Sequence, residues 1–247
     1  MITTPKTLLR SLLVRLGLWQ VWIYYSAKKR VERCIGDGKR HGEGATRKLF
    51  RDYHADAVFI HIPKAAGMSV VNALFGVNNS NHAMARDYIS EDSSRFENTF
   101  SFAIVRNPYT RLYSAYTYLN GGGKDPIDLV WRKLFLSKYD SFESFVINGG
   151  LEVAISCKAD HFIPQYEFIF DNAGDLQCDY YGRIEELVEV ERFLSDRLNR
   201  DVVLGKHNAT VISKVNIRSM YTVEMIGKVD YFYRKDFSLL EYEKFKR

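Results

Sequence analysis

The stretch VFIHIPKAAGMSVVNALF, residues 58–75, constrains the fold of this chain more than any other. Val58-Phe59-Ile60 is an apolar run of strand type. A tight turn follows, Pro63-Lys64-Ala65-Ala66-Gly67-Met68-Ser69, and then apolar residues at helical spacing. A strand that feeds a helix through small residues makes an anion cradle. Backbone N–H groups can approach an oxyanion closely, and the helix N-terminus adds the positive end of its dipole. Lys64 adds a full charge.

A second stretch repeats the design. Thr99 to Val105 is β-branched and aromatic, as a buried strand requires. It runs into Arg106-Asn107-Pro108, and Pro108 suits the first turn of a helix over Tyr109 to Leu119. Arg106 at the strand end and Ser114 two helical turns on can converge on one phosphate, the guanidinium as a fork and the hydroxyl as a further donor. Arg111 on the same helix either contributes or pairs with an acidic neighbour. Two anion sites on neighbouring strand ends predict a ligand with two separated anionic groups. The full G-x-x-x-x-G-K-[ST] loop is missing, because the lysine precedes Gly67 rather than following it. Magnesium-dependent binding of a nucleoside triphosphate is thereby disfavoured.

The remaining elements frame these loops. Apolar residues from Leu8 to Ile23 recur at steps of three and four, which predicts a helix over residues 5–33, edged by Lys6, Arg10, Arg15 and Lys28 to Arg30. Such a helix either lies on an anionic membrane surface or packs on the domain with its charges solvated. Ile35 to Gly44 reads as a loop, giving a basic N-terminal segment over 1–56 and one domain over 57–247. Asn78 to Asn81 break the first motif's helix, and His82 leads NHAMARDYI into the next. Gly121 to Gly123 end the helix after Pro108. Ile127 to Lys138, Ser141 to Ile147, Leu187 to Leu198 and Tyr221 to Phe232 read as helices, and Tyr166 to Phe170 as a strand. Strands alternating with helices predict an α/β, P-loop-like, three-layer fold: a mostly parallel sheet flanked by helices, with ligands at the carboxyl ends of its strands.

Charge narrows the partners. The net charge is +5, yet residues 1–56 hold 12 Lys and Arg against 5 Asp and Glu. The rest of the chain is left with 23 against 25, or −2, which does not suit a nucleic-acid-binding body. Cys34, Cys157 and Cys178 form neither a disulfide framework nor a zinc spacing. The longest uncharged apolar run, Leu16 to Ala27, is short of the ~18 residues of a membrane span and has no cleavage site.

IPKAAGMS resembles the 5′-phosphosulfate loop of sulfotransferases that use 3′-phosphoadenosine 5′-phosphosulfate (PAPS). IVRNPYTRLYSAY is similar to their 3′-phosphate motif. HFIPQYEFIFDNAG, DYYGRIEEL, HNAT and VEMIGKVDYFYRKDFSLLEY extend the resemblance over roughly residues 57–243, towards the carbohydrate sulfotransferases, whose members include bacterial enzymes and the Golgi chondroitin and heparan enzymes. The resemblance implies PAPS as donor, no metal requirement and a carbohydrate hydroxyl as acceptor. It implies donor binding by Pro63, Lys64, Ala65, Ala66, Gly67, Met68, Ser69, Arg106 and Ser114. Arg183, like Glu185, either contacts nucleotide or acceptor or makes an ion pair. Met68 departs from the commoner Thr or Ser. The Golgi enzymes' membrane span and luminal cysteines have no counterpart here, which implies a bacterial-type cytoplasmic enzyme, peripheral at the inner face of the membrane if residues 5–33 bind it.

In-line sulfuryl transfer needs a base for the acceptor hydroxyl, a cation at the leaving oxygen and fixed donors for the sulfate. Lys64 suits the cation and the Ala65–Ser69 backbone the donors. His82 is the first expectation for the base and His161 the second; His61 is expected to be structural, and His41, His54 and His207 carry no argument. A P-loop kinase, or a degenerate nucleotide- or glycan-binding relative, is the alternative.

Overall fold

The structure is a computed structural model that describes residues 12–41, 43, 49–50, 56–78, 80–205 and 216–246. Among these, three parallel strands form the sheet: β1 (Val58–Ile60), β2 (Ser101–Val105) and β3 (Tyr180–Arg183), in the order β1-β2-β3. Phe59 pairs with Phe102, and Val105 with Arg183, so the carboxyl ends of all three strands open on one edge.

Side chains alternate across a strand, so each face of this sheet has its own core. Val58, Ile60, Ala103 and Val105 face a cluster with Tyr88, Phe96 and Phe168. These come from α3 (Ala85–Glu97) and α8 (Tyr166–Ile169). Phe59, Phe102 and Ile104 face Val70, Leu74, Val190 and Leu194. Those belong to α2 (Gly67–Phe75) and α9 (Leu187–Leu198). Burial on both faces is what a parallel sheet demands.

A third, all-helical cluster lies beside the sheet. It joins α4 (Pro108–Asn120), α5 (Pro126–Trp131), α6 (Phe142–Ile147), α7 (Gly150–Ser156), α10 (Val223–Phe232) and α11 (Arg234–Leu239). The N-terminal helix α1 (Trp19–Gly36) inserts Ala27 and Val31 into this same cluster.

Three expectations change. Tyr166 to Phe170 is helical up to Ile169, not a strand. The cause lies 70 residues away, where the buried Asp236 carboxylate accepts from the N–H groups of Gln165 (2.9 Å) and Tyr166 (2.8 Å). A carboxylate at the first turn fixes a helix start that a short apolar run cannot specify. The predicted helix over 5–33 breaks at Gly17 (φ +66°), restarts at Trp19 and continues to Gly36; residues 1–11 are outside those described. The helix expected over 127–138 becomes α5 followed by a π-turn, Arg132–Leu136.

Candidate active site

The first loop leaves β1 at Ile60 and turns through two left-handed, non-glycine residues, Lys64 (φ +69°) and Ala66 (φ +59°). Such conformations cost on the order of 1–3 kcal/mol each and persist where the surroundings hold them. Arg111 is the holder. Fully buried on α4, it donates from Nε to the Pro63 carbonyl and from a terminal nitrogen to the Ile163 carbonyl, both at 2.9 Å. Arg111 therefore staples the cradle to the HFIPQ turn. Within the turn, the Ala65 N–H donates to Ile62 and the Ser69 N–H to Ala66. This concentrates the cradle's outward donors on Ala66, Gly67 and Met68. Gly67 has a steric reason too: a Cβ there would lie 1.8 Å from Nε2 of His61.

The second loop leaves β2 at Val105. Asn107 caps α4, accepting from the N–H groups of Tyr109 and Thr110, with Pro108 in the first turn. Arg106 is fixed from both sides. Its N–H donates to Gln165 Oε1 (2.8 Å) and its carbonyl accepts from Gln165 Nε2 (2.7 Å). Its guanidinium donates to Thr110 Oγ1 (3.0 Å) and to the Lys64 carbonyl (3.2 Å). That last bond joins the two anion loops directly. Ser114 lies buried on α4. Arg183 ends β3 beside this edge, but its guanidinium donates to the Leu240 (2.9 Å) and Glu241 (3.1 Å) carbonyls and covers the Tyr242 ring. Glu185 accepts from the Asn107 N–H and the Tyr242 hydroxyl. Both hold the C-terminal segment against the site's rim.

Lys64 places Nζ 3.7 Å from the centre of the Tyr118 ring. Burial, then the neighbouring Arg106, pull its pKa down to about 8. The Tyr118 hydroxyl donates to Asp128 Oδ2 (2.6 Å), and burial pushes that carboxyl upward.

Three histidines meet beside Lys64. His82 touches His61 edge-on at 4.9 Å between ring centres and His161 at 5.8 Å. His61 and His161 are buried, and desolvation, then the charge of His82, drives both well below the usual imidazole range. His161 stacks on Tyr118 and stands 3.8 Å from Asp128. His82 is different: its side chain is 26% exposed, and Nδ1 lies 3.2 Å from Asp160 Oδ2. A carboxylate on Nδ1 favours the tautomer with the proton there and leaves Nε2 as the basic nitrogen. Among the described residues, His61 Nδ1, His161 Nδ1 and Asp160 Oδ1 are buried without hydrogen-bond partners.

The loop carrying His82 is clamped from the N-terminal segment. Buried Arg40 donates to the His82 carbonyl (2.9 Å) and pairs with Asp87, which also accepts from the Met84 N–H and so caps α3. His41 lies near enough that Asp160 and His82 affect its charge.

The structure thus gathers Lys64, Arg106, His82 and His161 at one edge of the sheet. It gives Arg183 the ion-pair alternative, with Glu186 at 3.8 Å, and brings in Arg40, Tyr118, Asp128, Asp160 and Gln165, to which the sequence assigned no part. Of these, only Gln165 lay inside a motif already singled out. His54 and the HNAT block, with His207, are outside the described residues.

A cationic strand–loop–helix cradle, joined to a second arginine loop and faced by an accessible histidine, has the make-up that group transfer from an anionic donor requires. The Sulfotransferase family profile matches residues 47–243, and the chain belongs to that family. No curated protein matches it.

Proposed function

We propose that this sulfotransferase moves the sulfuryl group of PAPS to a hydroxyl of a carbohydrate. The observation that carries the reading is the hydrogen bond from Arg106 to the Lys64 carbonyl. It ties a 5′-phosphosulfate cradle to a 3′-phosphate site, as a donor with two separated anions requires. The carbohydrate acceptor rests on the resemblance of the later sequence blocks, 161–242.

In this reading His82 Nε2 takes the proton of the acceptor hydroxyl. The hydroxyl oxygen attacks sulfur in line, and the bond between sulfur and the 5′-phosphate oxygen breaks. Lys64 meets the charge that develops on that oxygen, while the Ala66–Met68 N–H groups hold the sulfate. Arg106 and Ser114 hold the 3′-phosphate. Asp160 orients His82 and stabilises the imidazolium that forms.

The test is a thermal-shift comparison. Adenosine 3′,5′-bisphosphate at about 100 times its Kd should add roughly 2.7 kcal/mol of stability. Lys64→Ala and Arg106→Ala should each shrink the shift by weakening bisphosphate binding. Stabilisation by magnesium-ATP and not by the bisphosphate would establish the kinase alternative instead. Transfer of labelled sulfate from PAPS to a panel of saccharides then identifies the acceptor. Nucleotide binding with no transfer to any saccharide would overturn the carbohydrate assignment.

A further inference from the structure

Helix α1 carries two unlike surfaces. Its inner face is settled: Ala27 and Val31 are fully buried, Tyr24 and Ile35 pack on the same core, and the helix runs against α5. The outer face is apolar and uncovered among the described residues. Leu18, Val21, Trp22 and Tyr25 are exposed, as are Leu12, Val14 and Leu16 in the turn before it. Tyr25 is 56% exposed and Leu16 60%, although both are large enough to be buried in most folds. Trp22 stacks on Trp19, so the aromatic pair forms one broad ridge.

The stripe changes character along its length. Trp22, Tyr25, Lys29 and Arg33 follow one another at steps of three and four, so they share one side of the helix. The first half of that side is apolar and the second half basic, with Arg30 and Lys39 exposed nearby. Residues 12–41 contain seven Lys and Arg against Glu32 and Asp37. No helix among the described residues is long and apolar enough to cross a membrane.

We propose that this outer face docks the enzyme on an anionic lipid bilayer, with Leu12 to Tyr25 in the interfacial layer and Lys29, Arg30 and Arg33 on the headgroups. Charge complementarity selects this occupant. A second copy of the chain would bring the same positive charge to the contact, whereas acidic lipid neutralises it. An apolar ridge with a basic flank is the pattern by which a helix lies in a bilayer surface without spanning it. The inner face is already fixed to the core, so the whole domain would be held at the membrane rather than tethered to it.

The experiment is co-sedimentation of the full chain with vesicles of phosphatidylcholine alone and of phosphatidylcholine with one-third phosphatidylglycerol. Binding should require the anionic lipid and weaken as salt rises. Removing Lys29 and Arg33 together (Lys29→Gln, Arg33→Gln) should reduce partitioning about 25-fold, at roughly fivefold per surface charge. Leu18→Glu with Trp22→Glu should abolish it. All four positions are exposed, so adenosine 3′,5′-bisphosphate affinity and Tm serve as folding controls and should not move. Equal binding to neutral vesicles, binding that survives Leu18→Glu/Trp22→Glu, or a lipid-free dimer that this variant dissolves would each overturn the proposal.

Discussion

Gly67→Ala isolates one contact at the heart of the cradle. Propensity alone favours the change, because Gly67 opens α2 and alanine is the better helix former by up to ~1 kcal/mol. The structure predicts the opposite sign. The added methyl would lie 1.8 Å from His61 Nε2 and 1.9 Å from Cδ2, against an ordinary contact of 3.4 Å or more. The ring must therefore retreat by roughly 1.6 Å, the difference between those distances. It has little room. His61 is 7% exposed, lies on Phe59 at 5.7 Å and meets His82 at 4.9 Å. Overpacking of this kind costs about 1–3 kcal/mol, which for a chain of this size lowers Tm by about 2–12 °C. The double-mutant cycle makes the reasoning specific: in a His61→Ala background the methyl has space, and the cost of Gly67→Ala should vanish. Thermal unfolding of the four proteins measures this. An unchanged Tm for Gly67→Ala, or the same loss with and without His61, would refute it.

The same site fixes the other expectations. His82→Ala should keep bisphosphate affinity while sulfate transfer falls at least ~100-fold, the scale of a general base; Asp160→Asn should lower turnover by less and leave donor KM unchanged. His61 and His161 are buried neutral, so below their ordinary value of 6.5 the unfolded chain binds protons that the folded chain does not. Their contribution is whole above that pH and is lost as pH falls, by up to ~1.4 kcal/mol per pH unit for each ring, which denaturant midpoints between pH 7 and 5 would show. Lys64 loses its proton as pH rises through about 8, so bisphosphate affinity should decline above that value and Lys64→Ala should flatten the decline. A calorimetric pH series separates the two outcomes.

Both strand–loop–helix units were legible in the sequence because each is continuous. Strand, turn and cap lie within eighteen residues in one and about twenty in the other. His82 could be singled out for its place between the loops. What gives it a partner could not: Asp160 lies 78 residues further on and reaches His82 only through the fold. Gln165 is similar, since only the closed structure shows its amide spanning both backbone groups of Arg106. Arg183 leaves two alternatives open in the sequence for a related reason. A strand-end arginine fits a phosphate as well as a C-terminal carbonyl, and the choice depends on a segment more than fifty residues away. His61, expected to be structural, lies against Gly67. Its edge contact with His82 depends on where the NHAMARDYI segment folds back.

Arg40 lies upstream of residue 47, where the recognisable family region begins, yet it grips the loop of the candidate base and, through Asp87, the start of α3. The matched region and the residues that hold the candidate base therefore do not share a boundary. Arg40, Asp87 and the His82 loop form one mechanical unit: a change at Arg40 reaches the candidate base through its carbonyl and through the start of α3. A chimera joined at residue 47 would keep every family motif and lose the clamp.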